Sequence, residues 1–187
     1  MPLKKWEKVS DELLARNPYW EYRLSRHLLS SGKEVKYYYA HDAGGSMIVG
    51  VNAEGKIAMV NQFRPVIDKE SLEFPAGGKQ SGKTEEETAS AEFAEETQFS
   101  AKHVDRAGFF EASSGLTDQV ASVFVAYDLS PCSIAKDETE DFELFWFTPA
   151  EIDQMIAEGR ITNGWSLATW TIAKKKALEI IAEQKQG

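Results

Sequence analysis

Cysteine is nearly absent. Cys132 is the only one in the chain, so no internal disulfide can form and stability must come from packing. Long apolar runs are missing too. None approaches the ~20 residues that span a bilayer. The start, Met1-Pro2-Leu3-Lys4-Lys5-Trp6, lacks the apolar stretch of a signal peptide. These absences predict a cytoplasmic protein with no membrane partner. Positive charge is scarce: 21 Lys and Arg face 30 Asp and Glu, a formal net charge of -9. No strong basic patch is present, so nucleic acid is not an expected partner. The Lys174-Lys175-Lys176 run reads as the solvated face of a final helix. His27, His41 and His103 are scattered without metal-ligand spacing. Ser113 and Ser114 lie beside a glycine, but no G-x-S-x-G and no paired histidine would activate either one.

What the chain does hold is enough for a core. Apolar residues make up 42%, with 10 Phe, 5 Trp and 6 Tyr among them, over 187 residues. A chain of that length buries roughly 70% of its unfolded surface. It reads as one domain with an N-terminal extension: residues 1–44 as a β-rich extension that dimerises, and residues 45–187 as the main domain.

Local patterns give a coarse order of elements. The stretch up to Pro18 reads as irregular or a short strand. Residues 19–29 mix aromatics and charges, Ser30-Ser31-Gly32-Lys33 marks a turn, and residues 34–40, with Tyr37-Tyr38-Tyr39, favour a strand. Together they predict a hairpin around Ser31-Gly32. Residues 47–52 and 57–63 read as a second hairpin about Ala53-Glu54-Gly55-Lys56. Leu72-Glu73-Phe74-Pro75 is extended because Pro disfavours helix before it, and Ala76-Gly77-Gly78 reads as a tight turn. Residues 84–98 carry helix signals: Thr84 and Glu87 fit a capping box, Glu85 and Glu86 suit the positive first turn, and Ala89, Phe93 and Ala94 form an apolar stripe. Strands follow at Phe109-Phe110, 120–127 and 142–147. Helices are expected over 149–158, stopped near Gly159, and over 165–183. Interleaved helices with hairpin-joined strands predict an α/β fold with a mixed sheet and helices on its faces.

Glu92, Glu95 and Glu96 are three and four residues apart and share one helix face. Such a cluster is either solvated or neutralised by a hard cation, which takes oxygen ligands. Their spacing from Gly77 resembles the Nudix box, G-x5-E-x7-R-E-U-x-E-E-x-G-U, with Glu92, Phe93, Glu95, Glu96 and Phe99 in register. Lys83, Ala91 and Gln98 stand where the pattern has Glu, Arg and Gly. Flanking stretches Gln62-Phe63-Arg64-Pro65, Leu72-Glu73-Phe74-Pro75-Ala76-Gly77 and Ser113-Ser114-Gly115-Leu116-Thr117-Asp118 resemble the ADP-ribose pyrophosphatase branch of the Nudix hydrolases. The likeness covers most of the chain from about residue 19.

The resemblance implies an α/β/α sandwich and a hydrolase, a homodimer, that cuts the diphosphate bond of a nucleotide sugar. It implies Mg2+, or Mn2+, held by Glu92, Glu95, Glu96 and the Ala76 carbonyl. Glu96 then counts among the catalytic groups, and Glu140 followed by Glu138, in the acidic loop 136–141, are the expected bases. Arg64 would clamp phosphate, Glu73 would meet either a ribose hydroxyl or side chains that stand behind the substrate contacts, and Tyr19, Trp20 and Tyr39 would stack on the base. Loss of the box Glu and Arg together strands no charge, Lys83 would attract a carboxylate of the acidic helix, and Gln98 would fit if the helix ran on another turn. Ser114 and Gln119 depart from the branch and widen the expected substrates to GDP-mannose and others. Two readings compete: a Nudix-fold sensor or interaction module that binds without cleaving, and an unrelated acidic α/β protein.

Overall fold

In the N-terminal segment β-structure runs further than local sequence suggests. The computed structural model describes residues 4–134 and 142–186. Strand β1 (Glu7–Arg16), β2 (Glu21–Leu28) and β3 (Glu34–His41) form an antiparallel sheet in that order. The hairpin turn at Ser31-Gly32 is as expected, with Gly32 at φ 82°. The stretch expected to be irregular or a short strand is instead the ten-residue β1. Its pairing with β2 is interrupted between Lys8 and Ser10 and between Leu13 and Ala15. Each bulge shifts the alternation of side chains, which hides the strand from a period-two reading.

This sheet and Glu111–Val120 make one of two units. Residues 113–118 close a turn through the Leu116 and Thr117 N–H groups on the Ser113 carbonyl. The Ala40 N–H donates to the Leu116 carbonyl (2.9 Å), and His41 Nδ1 lies 2.7 Å from Asp118 Oδ2. On the sheet face, Asp11 accepts from Arg23 Nε (2.9 Å), Tyr39 Oη (2.8 Å) and Lys8 Nζ. Burial pushes the Asp11 carboxyl up, but the hydrogen bonds from Lys8, Arg23 and Tyr39 together hold it well below the usual carboxylate range. A carboxylate depressed in the folded state stabilises above its unfolded pKa of ~3.9 and loses that contribution as pH falls toward its folded value. The melting-temperature gap between the wild type and Asp11→Asn is therefore expected to stay constant from pH 5 to 8 and to shrink below about pH 4. A gap that widened with acid would contradict this network.

The second unit takes Gly45–Phe110 and the chain from Ala121 onward. Its elements are β4 (Gly45–Gly50), β5 (Ile57–Arg64), a 3-10 turn (Pro65–Ile67), β6 (Lys69–Glu73), β7 (Ala76–Gly78), α1 (Glu85–Thr97), β8 (Phe99–Glu111), β9 (Val120–Pro131), β10 (Glu143–Phe147), α2 (Pro149–Ala157) and α3 (Gly164–Gln184). They build two sheets, ordered β10-β5-β6 and β7-β4-β9-β8, with β4 parallel to β9 and the β10–β5, β5–β6 and β4–β7 pairs antiparallel.

Two expectations are corrected here. Residues 47–52 and 57–63 are joined by a turn, with Asn52 N–H donating to the Lys56 carbonyl, but only the Val51–Ile57 bridge pairs them. Beyond it β4 and β5 part into different sheets, because β4 pairs with β7 and β9 and β5 with β10 and β6. Ala76-Gly77-Gly78 is not a turn but β7, paired antiparallel to Met47, Ser46 and Gly45. Two glycines mark the close approach of a neighbour rather than a reversal.

Side-chain alternation along the strands sends residues to two cores. Met47, Val49, Ile57, Met59, Val123 and Val125 pack with Ile152 and Met155 of α2 and Trp170, Ala173 and Ala177 of α3. Ile48, Ala58, Phe124 and Ala126 pack with Ala89 and Phe93 of α1. Strands buried on both faces between α1 and the α2–α3 pair form an α/β/α sandwich. Gly50 lets α1 come close, since a Cβ there would overlap the Phe93 ring. The lysine run on α3 is only partly solvated. Lys174 binds Asp153 (2.8 Å) and Lys176 binds Asp105 (2.8 Å), while Lys175 is the exposed member. No helix among the described residues is long and apolar enough to cross a membrane.

Candidate functional site

Helix α1 begins where the sequence says it should. The Thr84 hydroxyl accepts from the Glu87 N–H (3.1 Å) and the Glu87 carboxylate from the Thr84 N–H (2.7 Å), completing the capping box. Those bonds hold the Glu87 carboxyl below its ordinary range, with the Lys83 charge adding a smaller pull. Two buried serines anchor the same turn. Ser46 Oγ donates to the Glu85 carbonyl (2.9 Å), and Ser122 Oγ donates to Glu85 Oε2 (2.6 Å). Thus β4 and β9 fix the start of the helix.

The end differs from expectation. The helix does not run on past Gln98; Gln98 itself takes the left-handed conformation, φ 60°, that usually falls to glycine. This costs a residue with a Cβ about 1 kcal/mol. Hydrogen bonds compensate: Gln98 Nε2 donates to the Glu95 carbonyl (3.0 Å), and its Oε1 and main-chain carbonyl accept from the Ile134 (3.0 Å) and Cys132 (2.9 Å) N–H groups.

Between those ends the carboxylates take different surroundings. Glu92 lies against β7 so closely that a Cβ on Gly77 would overlap its carboxylate. Gln80 Nε2 donates to Glu92 Oε1 at 3.1 Å. Glu96, one turn on, is only 6% exposed, and Glu95 is half-buried. Such oxygens suit a hard divalent ion. Among the described residues, however, no three Asp, Glu, His or Cys side chains are already grouped as a metal cage.

A second charged group stands beside this face. Glu73, at the end of β6, is 2% exposed and accepts both arms of Arg64, Nε at 2.9 Å and Nη2 at 2.6 Å. This fork-to-carboxylate geometry is the strong form of the ion pair. The bonds to Glu73 hold the Arg64 guanidinium above its ordinary value against partial burial, and the Glu73 and Glu96 charges add to the effect. The pair spans the length of the strand ladder. Arg64 and Glu73 close opposite ends of the β5–β6 hairpin segment, where Arg64 pairs with Lys69 and Val60 with Glu73. The chain then passes through Phe74-Pro75 into the other sheet, with the Ile48 N–H on the Pro75 carbonyl (3.0 Å) and the Phe74 N–H on Ser166 Oγ (3.2 Å). Ala76 opens β7 directly after this crossing.

The second unit therefore brings Arg64, Glu73, Ala76, Glu92 and Glu96 into neighbouring elements, with Glu95 on the same helix. The aromatic candidates belong to the first unit. Tyr19 and Trp20 sit in the β1–β2 turn, exposed, their N–H groups on Asn17 Oδ1 at 2.8 and 2.9 Å. Tyr39 is engaged with Asp11 and lines a cleft of about 420 Å³ with Lys8, His27 and Tyr37. Glu138 and Glu140 lie outside the described residues. Gln80 was not foreseen: it occupies an unspecified position of the box, and no periodicity or pairing in the sequence points to it.

A NUDIX domain profile matches residues 41–164. Among curated proteins, an ADP-ribose pyrophosphatase from Bacillus subtilis (strain 168) is 35% identical over 113 residues, covering 60% of this chain and 61% of that protein. A methanol dehydrogenase activator from Bacillus methanolicus is 32% identical over 135 residues, covering 71% of this chain and 73% of the relative. A solved structure described as an ADP compounds hydrolase superposes with a TM-score of 0.81 at 17% identity, over 94% of this chain and 95% of the other, a likeness of fold. The box register, the sandwich and these matches agree, and the chain belongs to the NUDIX domain family.

Proposed function

We propose that this chain hydrolyses the diphosphate bond of nucleoside diphosphate sugars, ADP-ribose first and GDP-mannose among the others, to a nucleoside monophosphate and a sugar phosphate. The observation that carries the reading is the buried Glu96, 6% exposed, with the half-buried Glu92 one turn before it on the same face of α1. Burying acidic side chains is costly unless something of opposite charge compensates. Arg64 supplies part of that compensation. A divalent cation, Mg2+ or Mn2+, would supply more, held by Glu92, Glu95, Glu96 and the Ala76 carbonyl. Magnesium commonly takes only one or two protein carboxylates and completes its shell with water and substrate phosphates, so a preformed cage is not required. When bound, the ion would neutralise diphosphate charge and make water a better nucleophile.

The chain's own groups divide the remaining work. Arg64, tied to Glu73, would present its outer edge to a phosphate oxygen, and Glu73 would keep that guanidinium in place rather than bind ribose freely. Glu140, or Glu138, would orient the attacking water. Tyr19, Trp20 and Tyr39 would contact the base, lent across a homodimer built through residues 1–44. Exposure of Trp6, Val9, Leu13 and Leu14 on the N-terminal sheet supports that assembly. A lone thiol, Cys132, suits a reducing cytoplasm.

The test is direct. Incubation with ADP-ribose and magnesium yields AMP and ribose 5-phosphate, and excess chelator abolishes the yield. Tight binding without product would favour a second reading, a regulatory module, which the match to a methanol dehydrogenase activator supports.

A further inference from the structure

We infer that Gln80 is a positioning residue for Glu92: its side-chain amide fixes the Glu92 carboxylate without cancelling its charge. The inference rests on the functional reading above, in which Glu92 is a cation ligand. The observations are a contact and a chemistry. Gln80 Nε2 donates to Glu92 Oε1 at 3.1 Å from a turn that leads from β7 to α1. The Gln80 backbone is itself held, since its carbonyl accepts from the Lys83 N–H at 3.2 Å. On the other side Gly77 offers Glu92 space that no other residue would leave, because any Cβ there would overlap the carboxylate. Glu92 therefore has bare backbone on one side and a neutral donor on its Oε1.

Neutrality is what makes Gln80 suited to this task. A hydrogen bond from an uncharged amide is weaker than one from a cation. It selects one rotamer of Glu92, yet each carboxylate oxygen keeps lone pairs for further partners. A lysine at the same place would also fix the rotamer, but its charge would compete with a metal ion for the same oxygen. The side chain of Ala91, next to Glu92, has no donor to take over the task.

Two variants of the full chain separate order from affinity. Side-chain order at Glu92 is read by carbon relaxation in protein labelled at glutamate, assigned with Glu92→Gln, and Mn2+ uptake is read by electron spin resonance. In Gln80→Ala, Glu92 becomes mobile and Mn2+ binding weakens about fivefold, the worth of one neutral hydrogen bond. In Gln80→Lys, Glu92 stays ordered while Mn2+ binding weakens at least as much. A residue that only braced the turn would not part the two readouts in this way. Unchanged order at Glu92 in Gln80→Ala, or wild-type Mn2+ affinity in Gln80→Lys, overturns the inference. Absence of Mn2+ uptake by the wild type would instead sink the functional reading, and the order of Glu92 in Gln80→Ala would still decide whether Gln80 positions it.

Discussion

Glu96→Gln is expected to lower turnover of ADP-ribose, the substrate proposed above, by about two to three orders of magnitude and to leave the fold intact. The two halves of this expectation have separate causes. Glutamine has nearly the same shape as glutamate, and replacing a 6%-exposed carboxylate by a neutral amide removes a desolvated charge without opening a cavity. Thermal unfolding therefore moves little. On the proposed reading, catalysis would suffer because electrostatic stabilisation at a metal-assisted phosphoryl centre is worth several kcal/mol, and each ~1.4 kcal/mol is tenfold in rate. Steady-state assays across a magnesium titration check it. Turnover equal to the wild type would leave Glu96 outside the chemistry.

Arg64→Ala is the largest expected loss of stability. Glu73 has 3% of its side chain exposed and accepts two bonds from Arg64, whose side chain is 44% exposed. Truncation strands a buried carboxylate. Breaking a fully buried pair costs ~3–5 kcal/mol, and partial solvation of the arginine lowers the expected cost to about 2–3 kcal/mol. The double variant Arg64→Ala/Glu73→Gln recovers most of that loss, because no charge remains to be stranded. Denaturant unfolding of the four proteins in the cycle measures the coupling. A single variant as stable as the wild type would reduce the pair to an ordinary surface contact.

Much of this was legible in the residues. Thr84 and Glu87 announce the start of α1 because a capping box is local, and the i, i+4 spacing of Glu92 and Glu96 puts them on one face once the helix is granted. Other features depend on contacts that a linear reading does not contain. The two bulges in β1 break its alternation, and its pairing with β2 then decides the structure. Ala76-Gly77-Gly78 has the composition of a turn, but its partner Gly45-Ser46-Met47 makes it a strand. Gln98 keeps a glycine conformation because backbone N–H groups more than thirty residues away, at Cys132 and Ile134, come to meet it. Arg64 and Glu73 carry opposite charge nine positions apart, and only the folded course of the arginine side chain shows that they grip each other. Gln80 was invisible for the same reason, since one amide in a polar turn looks like any other.

The tethering of α1 at both extremities constrains how the protein can respond to its substrate. Ser46 and Ser122 hold Glu85, and Cys132 and Ile134 hold Gln98. A rod fastened at each end to the strand framework has little freedom to tilt or slide. On the proposed reading, accommodation of sugars of different size would then fall to elements other than α1. Any slow rearrangement that accompanied binding would therefore lie outside this helix.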